Sequence, residues 1–277
     1  MSAQVETCYR HPQEETRVHC TRCRRPICPD CMTPAPVGHH CPACVAEGRA
    51  GVRRVRPRLP RPRSATTAIL AVNVAAFAAD LLLRLLGGPS LLGLGAMVPR
   101  LVADGEWWRL LTAMFLHVGV LHLAFNSFGL YIFGSLIEQA LGGARMLTLY
   151  LVTGFAASAV SFAIGSPGVA AVGASGAVFG MLGAWLAYNL RRHSLSMARA
   201  NVQWALMLVA INLAFGLAVP GIDNAAHLGG LAAGVLGGLV AEGLGPRSAR
   251  GVSAAAGLTL LVAASAALVA WRAAAIA

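Results

Sequence analysis

The feature that most constrains this chain is a succession of apolar stretches that fills most of the sequence after residue 64. A helix needs about 20 apolar residues to cross the hydrocarbon core of a bilayer. Seven stretches approach that length, and the fourth is short. We predict an all-α fold, a polytopic membrane helical bundle, with spans at residues 65–86, 115–136, 146–164, 174–190, 202–219, 225–244 and 252–270.

The composition agrees with a membrane protein. Hydrophobic residues make up 57% of the 277 residues and charged residues only 12%, whereas soluble domains contain about 25% charged residues. This balance excludes a disordered chain and argues against an ordinary soluble enzyme. The first apolar stretch begins far from the first residue, so we expect no secretory signal peptide.

Basic connectors alternate along the chain with connectors that hold the acidic residues. Arginines fill 49–63, 145, 191–199 and 247–250, whereas the other connectors contain Asp104, Glu106 and Asp223 along with Arg100 and Arg109. Cytoplasmic loops carry an excess of basic residues. We therefore expect a multi-pass protein of the plasma membrane, with its N-terminus in the cytoplasm and its C-terminus outside.

The first 46 residues have a different chemistry, because they contain all seven cysteines. The cysteines and one histidine form four pairs of C-x2-C or C-x2-H spacing, which are Cys8/His11, Cys20/Cys23, Cys28/Cys31 and Cys41/Cys44. Eight such ligands suffice for two tetrahedral Zn²⁺ ions. A reducing cytoplasm disfavours disulfides. We predict a small domain that depends on structural zinc, because it is too short to build a sufficient apolar core.

The four pairs resemble those of the B-box and RING-like zinc fingers. The resemblance implies a cross-brace, in which the first and third pairs hold one ion and the second and fourth pairs hold the other. The spacing departs from the strict B-box pattern near its end, where His39 and His40 are alternative ligands. We expect the regular pair Cys41/Cys44 to bind there, and His19 to lie on the surface.

Residues 47–63 contain seven arginines and three prolines. Proline interrupts helices and like charges repel one another, so we predict a linker. Because these arginines adjoin the first apolar stretch, we expect anionic lipid as their partner and no nucleic acid. A cytoplasmic protein partner of the zinc finger is a further candidate. The predicted domains are a zinc finger at 1–46, the linker at 47–63, a membrane core at 64–245 and an additional C-terminal helix at 246–277.

Two local patterns bear on packing. The connector 87–114 holds Trp107, Trp108 and Arg109, which fits either an aromatic belt at the membrane interface or a structured loop lying partly in the membrane. Glycines recur at four-residue spacing in the fourth and sixth stretches, as Gly176/Gly180 and Gly230/Gly234. Such glycines let two helices approach closely, so we predict that these two helices pack together.

A few polar residues lie inside the predicted spans, where they are costly and therefore candidates for function. His122 and Asn126 share one face of the second span, Ser175 opens the fourth between glycines, and His227 lies in the sixth. Serine becomes nucleophilic when a neighbouring base takes its proton, and a helix N-terminus stabilises developing negative charge. Asn126, His122 and the Ser175 N–H group are candidate donors to a tetrahedral oxyanion.

These motifs resemble those of the rhomboid intramembrane serine proteases over about residues 65–245. The resemblance rests on Trp108-Arg109, on H-x4-H-x3-N at His117, His122 and Asn126, on G-x-S-G around Ser175, and on Ala226-His227-x2-Gly230. It implies a six-span core with a seventh span added. It also implies cleavage of substrate transmembrane segments near their outer ends by a Ser–His dyad without a catalytic cofactor.

By motif position, the resemblance makes Ser175 the nucleophile, His227 the base, and His122 and Asn126 the oxyanion donors. Phe179 stands where the family often has a tyrosine that packs on the catalytic histidine. Asp223 lies four residues before His227, so a contact between them stays open, but we expect Asp223 to cap the sixth helix.

Two rival functions have to be weighed. A catalytically idle relative would bind membrane clients and use the zinc finger to recruit a partner, but it would need neither Ser175 nor His227. A transporter or channel would use the intramembrane histidines, but it would not need the G-x-S-G motif.

Overall fold

The computed structural model describes residues 6–50, 64–192, 194–243 and 250–276. The chain divides into two compact units, Met1–Arg58 and Leu59–Ala277.

The first unit is built from short elements around the cysteines. Strand β1 (Glu6–Thr7) pairs antiparallel with β2 (Glu15–Thr16), β3 (Thr33–Pro34) pairs with β4 (His39–His40), and helix α1 (Pro42–Ala50) follows. The buried core consists of Ile27 and six of the seven cysteines. An apolar core of this size contributes little stability by itself.

Helix α1 extends into the segment predicted as a linker, since residues 47–50 are helical. Residues 51–63, which carry most of the arginines of that segment, lie outside the described residues.

In the described residues of the second unit, the regular secondary structure is helical apart from an isolated bridge between Met97 and Ala171. Its helices are α2 (Ser64–Leu85), α3 (Leu91–Gly95), α4 (Pro99–Ala103), α5 (Arg109–Thr112), α6 (Val120–Leu141), α7 (Gly143–Ile164), α8 (Ser175–Leu190), α9 (Ser196–Ala218), α10 (Asn224–Ala241) and α11 (Arg250–Ile276). Within the described residues, six are long and apolar enough to cross a membrane, namely α2, α6, α7, α9, α10 and α11. Helix α8 has only 16 residues and corresponds to the short fourth stretch.

The second spanning helix begins later than the hydropathy pattern indicates. We predicted a start near residue 115, but residues 113–115 form a 3-10 turn, Leu116 is extended, and α6 starts at Val120. Met114 and Leu116 are buried in the packing of the connector, and this burial accounts for their apolar character. Helix α6 also contains one π-helical turn at Leu130–Gly134.

Helices α8 and α10 approach each other through their glycines. Gly230 lies against the carbonyl oxygen of Gly176, and Gly234 lies against that of Gly180. A Cβ atom at either position on α10 would collide with the backbone of α8. The predicted close packing of these two helices is thus confirmed. Helix α7 packs against both of them, and α11 packs against α7 and α10.

The connector between α2 and α6 is a structured loop built on a buried arginine. The Arg109 guanidinium pairs with Glu106 at 2.6 Å and donates to the carbonyl oxygens of Gly93 and Ala96 at 3.0 and 2.9 Å. Trp107 and Trp108 are exposed. The connector therefore has its own hydrogen-bonded core and leaves its tryptophans on the surface, which suits an interfacial position.

Buried acidic side chains tie helix ends together. The Asp80 carboxylate of α2 accepts hydrogen bonds from the Ser90 hydroxyl and the Leu91 N–H group, both at the start of α3. Glu138 near the end of α6 accepts from the N–H groups of Ala65 and Thr66 in the first turn of α2. These bonds satisfy N–H groups that have no partner within their own helices.

Candidate active site

Ser175 is the first residue of α8 and follows an extended segment held by the connector. Ala171 and Met97 exchange two backbone hydrogen bonds, of 3.0 and 2.8 Å. The Gly173 N–H group donates to the carbonyl oxygen of Ala113 at 2.9 Å. Three backbone bonds therefore fix the approach to Ser175, and the first N–H groups of α8 lie where a helix has no carbonyl partners of its own.

Gly173 brings the two predicted oxyanion donors close to this segment. It has φ +121°, in the region that favours glycine, and a Cβ atom there would lie 2.6 Å from His122 Nε2. The same Cβ would lie 3.7 Å from Asn126 Nδ2. Both side chains thus reach the residue two positions before Ser175, where there is no room for a side chain.

His227 lies in the first turn of α10, and its buried ring stacks on Phe179 of α8. The ring centroids are 4.3 Å apart and the planes differ by 7°. Phe179 is one turn after Ser175 and therefore on the same face of α8. Gly176 packs against Ala226, the neighbour of His227. The stacking expected of Phe179 is thus present, and it places His227 beside the face of α8 that carries Ser175 one turn earlier.

Asp223 caps α10. Its carboxylate accepts a hydrogen bond from the Ala226 N–H group at 2.9 Å and another from the Ser161 hydroxyl of α7. Within the described residues, His227 Nδ1 has no hydrogen-bond partner. The geometry therefore matches the N-cap that the sequence analysis expects.

Two residues near the site received no role from the sequence. His117 is 1% exposed, and its ring meets that of His122 edge-on with centroids 5.1 Å apart. Neither ring nitrogen of His117 has a partner in the described part of the chain. Ser161 joins α7 to Asp223. The histidine motif contained a signal for His117, whereas Ser161 was one of several serines in an apolar stretch.

A small cavity lies beside the nucleophile candidate. Its polar lining includes Ser158, Ser161, Ser175 and Asp223, and Met97 contributes to the apolar part.

The first unit groups its eight predicted ligands in two clusters. One contains Cys8, His11, Cys28 and Cys31, the other contains Cys20, Cys23, Cys41 and Cys44, and the ligand atoms of each lie within 4.8 Å of one another. This is the cross-brace grouping. His39 and His40 lie in β4 and belong to neither cluster. His19 is exposed and pairs with Glu6 at 2.9 Å.

The donor sets fit a tetrahedral metal ion. Two sulfur ligands at 2.3 Å from a common tetrahedral centre are about 3.8 Å apart. His11 Nδ1 lies 3.2 and 3.6 Å from the sulfurs of Cys28 and Cys31, and the sulfurs of Cys23 and Cys41 are 3.6 Å apart. All seven cysteines lie in the described residues, and none forms a disulfide.

The thiols of one cluster cannot all ionise without a compensating cation. Burial raises the pKa of Cys8, but backbone N–H groups of Arg10, Cys28 and His11 outweigh it and lower this pKa to about 6. Burial, together with the neighbouring Cys8 and Cys28 sulfurs, raises the pKa of Cys31 to about 11. A bound dication would remove this conflict, because it stabilises every thiolate at once.

The second unit is thus a polytopic helical membrane protein in which Ser175 starts one of two tightly packed helices and His227 lies in the first turn of the other. The Rhomboid domain matches residues 104–242, which is half of the chain, and the chain belongs to the rhomboid family.

Three relatives illustrate the similarity. The chain is 43% identical to Rhomboid protease GluP of Bacillus subtilis (strain 168) over 159 residues, which are 55% of this chain and 30% of GluP. It is 42% identical to RHOMBOID-like protein 6, mitochondrial, of Arabidopsis thaliana over 143 residues, 51% of this chain and 46% of that protein. It is 36% identical to the Putative rhomboid protease YdcA of Bacillus subtilis (strain 168) over 133 residues, 48% of this chain and 66% of YdcA.

The chain spans less than half the length of GluP and of RHOMBOID-like protein 6. The family match covers α5 to α10 and begins at residue 104, after the cysteine-rich unit and after α2, α3 and α4.

Proposed function

We propose that this protein is an intramembrane serine endopeptidase that cleaves transmembrane segments of membrane proteins with a Ser175–His227 dyad. The observation that carries the proposal is the stacking of His227 on Phe179, one helical turn from Ser175, at 4.3 Å between ring centroids. It supports a base held beside the nucleophile in a fixed orientation. Family membership and relatives named as proteases support the same reaction class.

In the proposed reaction, Ser175 Oγ attacks the scissile carbonyl carbon while the His227 imidazole takes the hydroxyl proton. The negative oxygen of the tetrahedral intermediate accepts hydrogen bonds from the Ser175 N–H group, the Asn126 amide and the His122 ring. The C–N bond then breaks, and the leaving amine takes the proton from His227. Water, deprotonated by His227, hydrolyses the acyl-enzyme ester and restores Ser175.

Two features support the oxyanion role. His122 Nε2 and Asn126 Nδ2 both lie close to Gly173 and so near the start of α8, where backbone N–H groups also point. Asn126 Nδ2 donates to the His122 carbonyl oxygen at 2.9 Å, and an amide has a second hydrogen for the substrate. The donors are therefore preorganised before substrate arrives.

The short α8 supports access for water. Its 16 residues span about 24 Å at 1.5 Å per residue, less than the ~30 Å hydrocarbon thickness. With its C-terminal arginines at one membrane surface, Ser175 would start several Å below the other. A substrate helix that unwinds near its outer end could then present a peptide bond to Ser175.

A fluorophosphonate probe tests the proposal, because it reacts with activated serines. Wild-type protein in detergent should be labelled, and Ser175→Ala and His227→Ala should not. Ser265→Ala is the matched control, since the Ser265 hydroxyl bonds its own helix at the Leu261 carbonyl. Reconstitution with single-span membrane proteins should give cleavage that Ser175→Ala abolishes. Wild-type labelling at background level would support the idle-relative alternative.

For the first unit we propose a structural zinc finger with two Zn²⁺ ions, one in each four-ligand cluster, followed by the basic linker. Bound zinc would supply folding free energy to a unit with little apolar core. We also propose that the N-terminus is cytoplasmic and the C-terminus lies outside the plasma membrane. The arginines that follow α8, of which Arg192 pairs with Glu242 at 2.8 Å, agree with this orientation.

A further inference from the structure

Helix α11 presents an inward stripe whose last two turns reach the structured connector. Val269, Ala273 and Ile276 are partly buried, whereas Ala274 between them is exposed. The three inward residues pack on a cluster of buried apolar side chains. The cluster consists of Met97, Val102, Leu110, Ala113 and Phe162, and it joins α4 and α5 of the connector to α7.

The same cluster continues into the candidate active site. Met97 and Ala113 line the cavity beside Ser175. Met97 holds Ala171 through two backbone hydrogen bonds, and the Ala113 carbonyl accepts from the Gly173 N–H group. A displacement of the connector would therefore move Gly173, against which His122 Nε2 lies.

We propose that the packed face of the last two turns of α11, formed by Val269, Ala273 and Ile276, is a positioning element for the active site. They hold the connector so that Met97 and Ala113 fix the segment before Ser175 and thereby the placement of the oxyanion donors. No residue of α11 touches the reacting atoms in this scheme. The catalytic part of the inference rests on the proposed function, whereas the structural part does not.

A pair of identical substitutions one residue apart separates this role from a general effect on the helix. Ala273→Leu adds bulk on the packed face, where overpacking forces neighbours to shift. Ala274→Leu adds the same atoms on the exposed face. Both keep α11 apolar, so membrane insertion is expected to be equal.

The readouts are kcat and KM on a cleaved substrate, the rate of fluorophosphonate labelling, and hydrogen exchange of residues 96–104 in the full chain. For Ala273→Leu we expect a loss of about tenfold in kcat and labelling rate, little change in KM, and faster exchange in residues 96–104. A lower kcat with an unchanged KM is expected when the oxyanion donors are displaced while substrate binding is unaffected. Ala274→Leu should match the wild type in every readout.

A chain ending at residue 268 gives an independent second variant. It keeps residues 250–268 of α11, close to the ~20 residues that span a bilayer, and removes the contact with the connector. It should reproduce the loss seen with Ala273→Leu. Wild-type kcat, labelling and exchange in both variants would overturn the inference. Absence of activity in the wild type would instead count against the proposed function, and the exchange comparison would still decide the structural part.

Discussion

Gly173→Ala is the most direct perturbation of the proposed oxyanion site. It adds one methyl group at φ +121°, a conformation that residues with a side chain rarely adopt. The new Cβ would lie 2.6 Å from His122 Nε2 and 2.7 Å from His122 Cε1. Both distances are far below van der Waals contact, so either His122 or the segment before Ser175 must move.

The expected magnitude has two parts. The unfavourable backbone conformation costs on the order of 1–3 kcal/mol of stability. The displacement of His122 removes one oxyanion donor, and loss of such a donor costs about 10²–10³ in kcat. Stability and turnover should therefore fall together, with a loss of turnover larger than the unfolded fraction explains.

Two other glycines separate these parts. Gly105 has φ +109° with open space around its missing Cβ, so Gly105→Ala tests backbone strain alone. Gly168 lies in the same loop as Gly173, with open space and no positive φ. Gly168→Ala therefore introduces neither backbone strain nor a collision, and it serves as the neutral control. Thermal unfolding and kcat would be measured for all three variants. If Gly173→Ala keeps more than about half of the wild-type kcat, the assignment of His122 as a donor against this segment is wrong.

Elemental analysis of the full chain should find two Zn²⁺ ions, and His11→Ala should retain about one; a wild-type content of one would refute the two-site grouping. Asp223→Asn should keep most of the turnover, because asparagine also caps helices. A triad aspartate loses about 10⁴ in kcat on this change, so a hundredfold drop in folded protein would contradict the dyad. A reporter active only outside the cytoplasm should give signal after residue 277 and none after residue 250; the reverse pattern would overturn the orientation.

The sequence predicts the helices and the glycine contact well, because both depend on simple periodic patterns. Apolar length alone marks six membrane-length helices in the described residues and the shorter α8. The four-residue spacing of Gly176/Gly180 and Gly230/Gly234 predicts the close approach of α8 and α10. Glycines on one helix face carry no side chains that would keep the two backbones apart. The pair spacing of the cysteines predicts the eight ligands, and the resemblance to B-box and RING-like zinc fingers implies their grouping into two clusters.

The structure of the connector could not be predicted, because it is held by individual contacts between residues that are distant in sequence. Nothing in the local pattern pairs Met97 with Ala171 or places the Arg109 guanidinium on the carbonyls of Gly93 and Ala96. Its buried leucines and methionines have the same hydropathy as a membrane-spanning helix, which explains why the start predicted for α6 is too early. The hydrogen bond from the Ser161 hydroxyl to the Asp223 carboxylate also joins residues that are distant in sequence, so no local pattern predicts it.

The physical demands of the proposed peptidase site inside a bilayer account for the connector and for α11 together. A serine that uses free N–H groups must stand at a helix start, and a start below the surface requires non-helical backbone at that depth. Such backbone is tolerated in a membrane only when its polar groups are satisfied by protein. In this chain, Met97 and Ala113 satisfy Ala171 and Gly173. The connector therefore has to be rigid, and the apolar cluster that it shares with α7 and α11 supplies the packing that makes it so.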